Sequence, residues 1–103
     1  MIVFVSGPYT QGDTTQNVRN AVLAADRIRA AGHLPIVPHL AHFWHLISPH
    51  EYNYWIQMDL ELLRLCDVMV RLPGESPGAD GEERAARELG IPVVTLDWIV
   101  GEI

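Results

Sequence analysis

Three observations predict a small α/β fold with a mainly parallel sheet. Four short apolar runs, "IVFVSG", "LPIVP", "DVMVRL" and "IPVVTL", are separated by segments of helical periodicity. The first and third runs are apolar without alternation, as strands covered on both faces are. The runs lead into Gly-, Pro- or Asp-containing loops, and open sheets bind ligands at the carboxyl ends of their strands. The expected architecture is a doubly wound, Rossmann- or flavodoxin-like three-layer sandwich of four to five strands, a single domain over residues 1–103.

"IVFVSG" is a buried strand stopped by the turn Ser6-Gly7-Pro8-Tyr9. Asp13, Thr14 or Thr15 caps a helix running from about Gln16 to Ala31. Its apolar stripe is Val18, Ala21, Val22, Ala25 and Ile28, and Gly32 ends it. The two prolines of "LPIVP" place that strand at a sheet edge. "HLAHFWHLI" reads as loop or short helix. Ser48-Pro49-His50-Glu51 offers an N-cap, a first-turn proline and a capping-box acid, and predicts a helix to about Leu65. After "DVMVRL", the stretch "SPGADGEERAARELG" is a loop entering a helix that Gly90 stops, with Asp80 and Glu83 as a capping box. "IPVVTL" is the last strand, closed by Asp97 and Trp98.

Composition removes several function classes. The formal charge is -6 with no basic cluster, so neither polymeric nucleic acid nor an anionic membrane is an expected partner. Met1 leads straight into a strand, and no apolar run is long enough to span a bilayer, so a cytoplasmic protein is expected. The single Cys66 excludes a disulfide framework within the chain and a Cys-based zinc site. All seven basic residues are Arg. Without Lys there is no Schiff-base chemistry and no Walker P-loop. His39, His42 and His45 recur at three-residue spacing. Zinc sites on one helix favour four-residue spacing, and no acidic ligand lies in the run, so a polar, aromatic cleft wall is expected and no metal. His39 or Trp44 could stack on or hydrogen-bond a base. No cofactor is expected.

Two acids stand in the wrong place. Ala79, Glu82, Ala85, Ala86 and Leu89 share one helical face, the apolar one. Glu83 and Arg87 pair across the other side. Glu82 either sits partly wet in the first helical turn or is a carboxylate put to use. The preceding helix repeats the pattern: Asp59 lies among Tyr52, Trp55, Ile56, Leu62, Leu63 and Cys66, while Gln57, Glu61 and Arg64 suit solvent. Buried Asp can be satisfied by backbone donors or an Arg. Two such acids on helices flanking one strand also fit paired carboxyls acting at a glycosidic carbon, roughly 5–8 Å apart.

A strand ending "SGPYT", an Asp in the helix before "CDVMV", then S-x-G-A-x-x-E and "ELGIPVV" resemble the nucleoside 2-deoxyribosyltransferase family, above all its short bacterial and phage members. The resemblance covers residues 2–96 and is similar also to a branch that hydrolyses 2′-deoxynucleoside 5′-monophosphates. It implies that Glu82 is the nucleophile attacking the anomeric carbon and that Asp59 assists the leaving base. It implies that Gly7, Pro8 and Tyr9 close over the substrate, and that Ser76 and Gly78 hold a 5′-phosphate through the helix N-terminus. The implied ligand is a small nucleoside or nucleotide. A homodimer or larger homo-oligomer through the aromatic-rich helix after Pro49 is expected, since that helix carries more apolar surface than a small domain covers. The alternative is a non-catalytic nucleotide-binding module on the same fold.

Overall fold

The computed structural model describes residues 1–101; Glu102 and Ile103, the end of the C-terminal "DWIVGEI" segment, lie outside it. Four strands form one parallel sheet in the order β2-β1-β3-β4: β1 Ile2–Ser6, β2 Leu34–Ile36, β3 Val68–Arg71 and β4 Val93–Val94. The helices are α1 Thr14–Ala30, α2 Ala41–Ile47, α3 Tyr52–Leu63, α4 Pro77–Glu88 and α5 Leu96–Val100. The two-proline strand is at an edge, as its missing donors require.

Alternation along the central strands sorts the core into two halves. Val3, Val5, Val68 and Val70 meet Ala21, Ala24 and Ile28 of α1 and Ile99 of α5. Phe4 and Met69 point the other way, toward Leu63 of α3, Cys66 and Ala86 of α4. Burial pushes the Cys66 thiol up to about 11, with the charge of Asp67 adding to it, so it stays a protonated core side chain.

Several local expectations change. Ser48 does not cap α3: its N–H closes the last turn of α2 on the Trp44 carbonyl at 2.8 Å, and the following proline holds it extended. The helix therefore starts at Tyr52, with Glu51 as a cap that makes no side-chain bond. Asp80 is not the cap of α4. Ser76 is, accepting the Ala79 N–H at 3.1 Å, with Pro77 in the first turn. Asp80 instead meets Arg71 at 3.1 Å. Leu89 ends exposed rather than on the core. Asp97 and Trp98 do not close β4; they belong to α5, which Thr95 caps and Gly101 stops. Apolar exposure is concentrated in α2, where Phe43, Leu46 and Ile47 are 60%, 63% and 85% exposed, although Tyr52 and Leu65 around α3 are also open.

Candidate active site

Ile2, Phe4 and Ser6 share one side of β1, and Met69 and Arg71 share the same side of β3. Both strands thus turn from apolar to polar at their last residue, and Ser6 and Arg71 are register partners. The point is where the chain order reverses, with β2 to one side of β1 and β3 to the other, the position at which open α/β sheets hold ligands. Gly7 follows directly. A side chain there would place a Cβ 2.9 Å from Leu72 Cβ, so glycine lets the two strand ends stay together.

Above these ends lies a cleft of about 540 Å³. Asp59 and Glu82 both line it, each one helical turn before a fully buried residue, Leu63 and Ala86 respectively. The Ser6 hydroxyl donates to Glu82 Oε1 at 2.8 Å. Asp59 and Glu82 share a side-chain hydrogen bond. They are near enough for each carboxyl to act on the other's proton. One retained proton makes this possible, since a carboxylic acid can donate to a carboxylate where two anions would repel. Burial first, then the charge of Glu82 and the bond to it, push Asp59 up to about 7. Burial also raises Glu82, opposed by the hydrogen bonds from Ser6 and Asp59 and by the nearby Arg71 charge. The arrangement is a Glu82 carboxyl facing the Ser6 hydroxyl and the Asp59 carboxyl, with Asp59 holding its proton up to about pH 7.

Arg71 is held between Asp80 at 3.1 Å and Glu83 at 3.8 Å, and Glu83 also meets Arg87 at 3.2 Å. The neighbouring acids of α4 therefore divide by helical phase. Glu82 turns to the cleft and Glu83 to the arginines.

Gly7, Tyr9, His39, Ser76 and Gly78 line the same cleft. Pro8 does not line it. Its carbonyl instead accepts a hydrogen bond from His39 Nε2 at 3.0 Å, which ties the first-strand turn to the end of β2. His39 is 6% exposed, and burial lowers its pKa against the raising effect of the Pro8 and Gly7 carbonyls. Its Nδ1 is the one buried side-chain polar atom among the described residues with no partner. Trp44 is outside the cleft. The cleft side of α2 is taken by Ala41, His42 and His45, and Trp44 packs edge-on against Trp55 and Tyr54 at 5.2 and 6.2 Å. At the N-terminus of α4, Pro77 has no N–H and Ser76 Oγ takes that of Ala79, so the Gly78 N–H is the one in the first turn without an intrahelical partner. A Cβ at Gly78 would lie 3.3 Å from the Tyr52 hydroxyl, which closes this end of the cleft.

Ser6, Arg71, Tyr52, Trp55 and His50 complete the surroundings and were not singled out as site residues, while His42 and His45 line the cleft as the expected polar, aromatic wall. The legible signal was the polar ending of two apolar strands. The tie between Tyr9 hydroxyl and His42 Nδ1, 2.7 Å across 33 residues, has no such signal. Among the described residues no group of His, Cys, Asp or Glu is arranged to hold a metal ion.

The family described as "Domain of unknown function (DUF7768)" matches residues 1–96. No curated protein matches the chain. Among solved structures, a 2-deoxyribosyltransferase from the psychrotolerant bacterium Bacillus psychrosaccharolyticus superposes with a TM-score of 0.66. The match covers 90% of this chain and 69% of that one at 19% sequence identity, a likeness of fold.

Proposed function

The chain belongs to the DUF7768 family, and for it we propose cleavage or transfer at the N-glycosidic bond of a 2′-deoxynucleoside. The observation that carries the reading is the Ser6–Glu82–Asp59 chain of hydrogen bonds inside the cleft. A pure binding module gains nothing from two half-buried carboxyls held together at one point. The fold shared with a 2-deoxyribosyltransferase supports the same chemistry.

In this reading the Glu82 carboxylate attacks the anomeric carbon as the carbon–nitrogen bond breaks. The electron pair leaves with the base, and Asp59 gives the base its proton. A glycosyl ester on Glu82 remains. Water or a second base attacks the same carbon, the Asp59 carboxylate takes up a proton, and Glu82 departs as the carboxylate. Ser6 donates to the Glu82 carboxylate before it attacks and again as it departs. Gly7 and Tyr9 wall the sugar, with Pro8 fixing their turn.

The cleft favours a nucleoside over its 5′-monophosphate. No Arg lines it among the described residues, and two acids do. Ser76 is spent on capping, which leaves the Gly78 N–H and the Tyr52 hydroxyl for the 5′ end. The proposal also includes a single domain and a homo-oligomer that covers the open apolar residues of α2 and α3. No helix among the described residues is long and apolar enough to cross a membrane. A cytoplasmic location remains part of the proposal.

The test is incubation with a panel of 2′-deoxynucleosides and their monophosphates, with and without a free acceptor base, followed by chromatography. The expected result is base release or exchange from a nucleoside in wild type and none in Glu82→Gln. Intact substrates throughout the panel would refute the catalytic reading.

A further inference from the structure

The polarity of the His45 imidazole in the aromatic wall is dictated by its neighbours. Two donors converge on its Nδ1: Trp55 Nε1–H at 2.9 Å and the His50 backbone N–H at 3.3 Å. Neither can accept, so Nδ1 holds the lone pair and Nε2 carries the proton. An edge-on contact with the Trp55 ring at 5.7 Å steadies the plane. Nε2 has no partner among the described residues and is not enclosed, and the ring lines the cleft. His42 differs. Its Nδ1 meets a hydroxyl that can donate or accept, so nothing dictates which way its polarity runs.

Position says what this donor meets. Trp55 precedes Asp59 by four residues on α3, one turn or ~6 Å along the axis. Both residues line the cleft, so a base that has Asp59 at its glycosidic nitrogen and extends one turn along α3 toward Trp55 brings the edge farthest from the sugar to His45.

We infer that His45 Nε2–H selects bases that carry an exocyclic carbonyl at that far edge over those that carry an amino group there. The inference rests on the nucleoside reading above. A carbonyl accepts the hydrogen bond. An amino group sets N–H against N–H, and the two donors locked on Nδ1 stop the ring from offering its lone pair instead.

The test is calorimetric binding of two matched pairs, 2′-deoxyuridine with 2′-deoxycytidine and 2′-deoxyinosine with 2′-deoxyadenosine. Wild type should bind the carbonyl member of at least one pair about ten-fold tighter. His45→Phe keeps a flat ring and removes the donor, so its ratio should fall to within about two-fold. Trp55→Phe removes one of the two locking donors and should lower the ratio part of the way. Nitrogen-15 shifts of the His45 ring should report protonation at Nε2 in wild type. A ring protonated at Nδ1, equal affinities within both pairs, or a preference that survives His45→Phe would overturn the inference. Because ranking is by binding, a protein that shows the preference yet never cleaves supports this inference and refutes the catalytic reading. Cleavage without preference does the reverse. Failure of all four nucleosides to bind overturns both.

Discussion

Against one face of the sheet, α1 and α5 close over Val3, Val5, Val68 and Val70 with Ala21, Ala24, Ile28 and Ile99, and every member of that cluster is apolar. Against the other face, α3 and α4 close over Phe4 and Met69 with Leu63 and Ala86, but one turn higher each helix carries an acid, Asp59 and Glu82. The strands follow suit on that face alone, ending in Ser6 and Arg71. One stripe thus serves as core at the bottom of the sheet and as a site at its top. The lesson is that a polar residue in an apolar stripe tells most when its neighbours across the interface turn polar at the same height. A stranded polar residue costs stability, whereas a matched set can hold a charge.

The sharpest way to break this contrast is Glu82→Gln. On the proposed reading it loses the nucleophilic anion, and turnover should drop by at least about a thousand-fold. The thermal midpoint should stay level or rise, because a desolvated carboxylate is replaced by an amide. Activity and melting assays on the same preparation check both. Near-wild-type turnover would make this face a second core with an idle acid.

The mirror experiment is on the dry face. Ile28 is fully buried, and Ile28→Ala should cost about 2–5 kcal/mol in denaturant unfolding. Its turnover per folded molecule should match wild type. A variant that keeps its stability but loses catalysis would show that the faces do not divide the work as described.

Asp59→Asn should slow release of the base by about a hundred-fold. It should also remove an alkaline decline of the rate centred near 7, the point to which Asp59 is pushed. The stability effect has a definite sign. The ordinary value is 3.8 and the folded value is higher, so the contribution of Asp59 is fully present at low pH and is lost as pH rises toward 7. The unfolded chain releases that proton first. Asn cannot titrate, so the variant should gain on wild type steadily between pH 4 and 7. Melting curves across that window check it, and a variant that loses ground on wild type as pH rises would contradict the assignment.

The smallest effect tests helical phase. Glu83→Gln weakens contacts to Arg71 and Arg87 that are partly open to water. It should cost about 0.5 kcal/mol and leave the rate unaltered. A loss larger than that of Glu82→Gln would exchange the two roles.

Much of the fold was readable in the chain because strands and helices announce themselves by period, and Pro and Gly by their backbone limits. The edge strand, the stop at Gly32 and most of the stripe of α1 follow from such local rules, although Ala24 is buried and the expected Val22 and Ala25 are only half-buried. The failures occurred where two local signals competed. Ser48-Pro49 and Ser76-Pro77 look alike as helix starts, yet Ser76 caps a helix and Ser48 ends one. The difference is the helix already running into Ser48, which needs its N–H. Thr95 and Gly101 bracket a five-residue helix too short for periodicity to reveal.

By itself the sequence determined the α/β class, the absence of Lys chemistry and the placing of Asp59 and Glu82 on apolar stripes, because each depends on residue type or on spacing within one element. Only the tertiary structure decided that the two acids meet, that Ser6 donates to one of them, that Pro8 and Trp44 stand outside the cleft, and that His45 offers a proton rather than a lone pair. Those facts join positions as distant as Ser6 and Glu82, 76 residues apart. Helical and strand periods say which way a side chain faces from its own element. What it faces depends on how the elements pack, and no period within one element carries that.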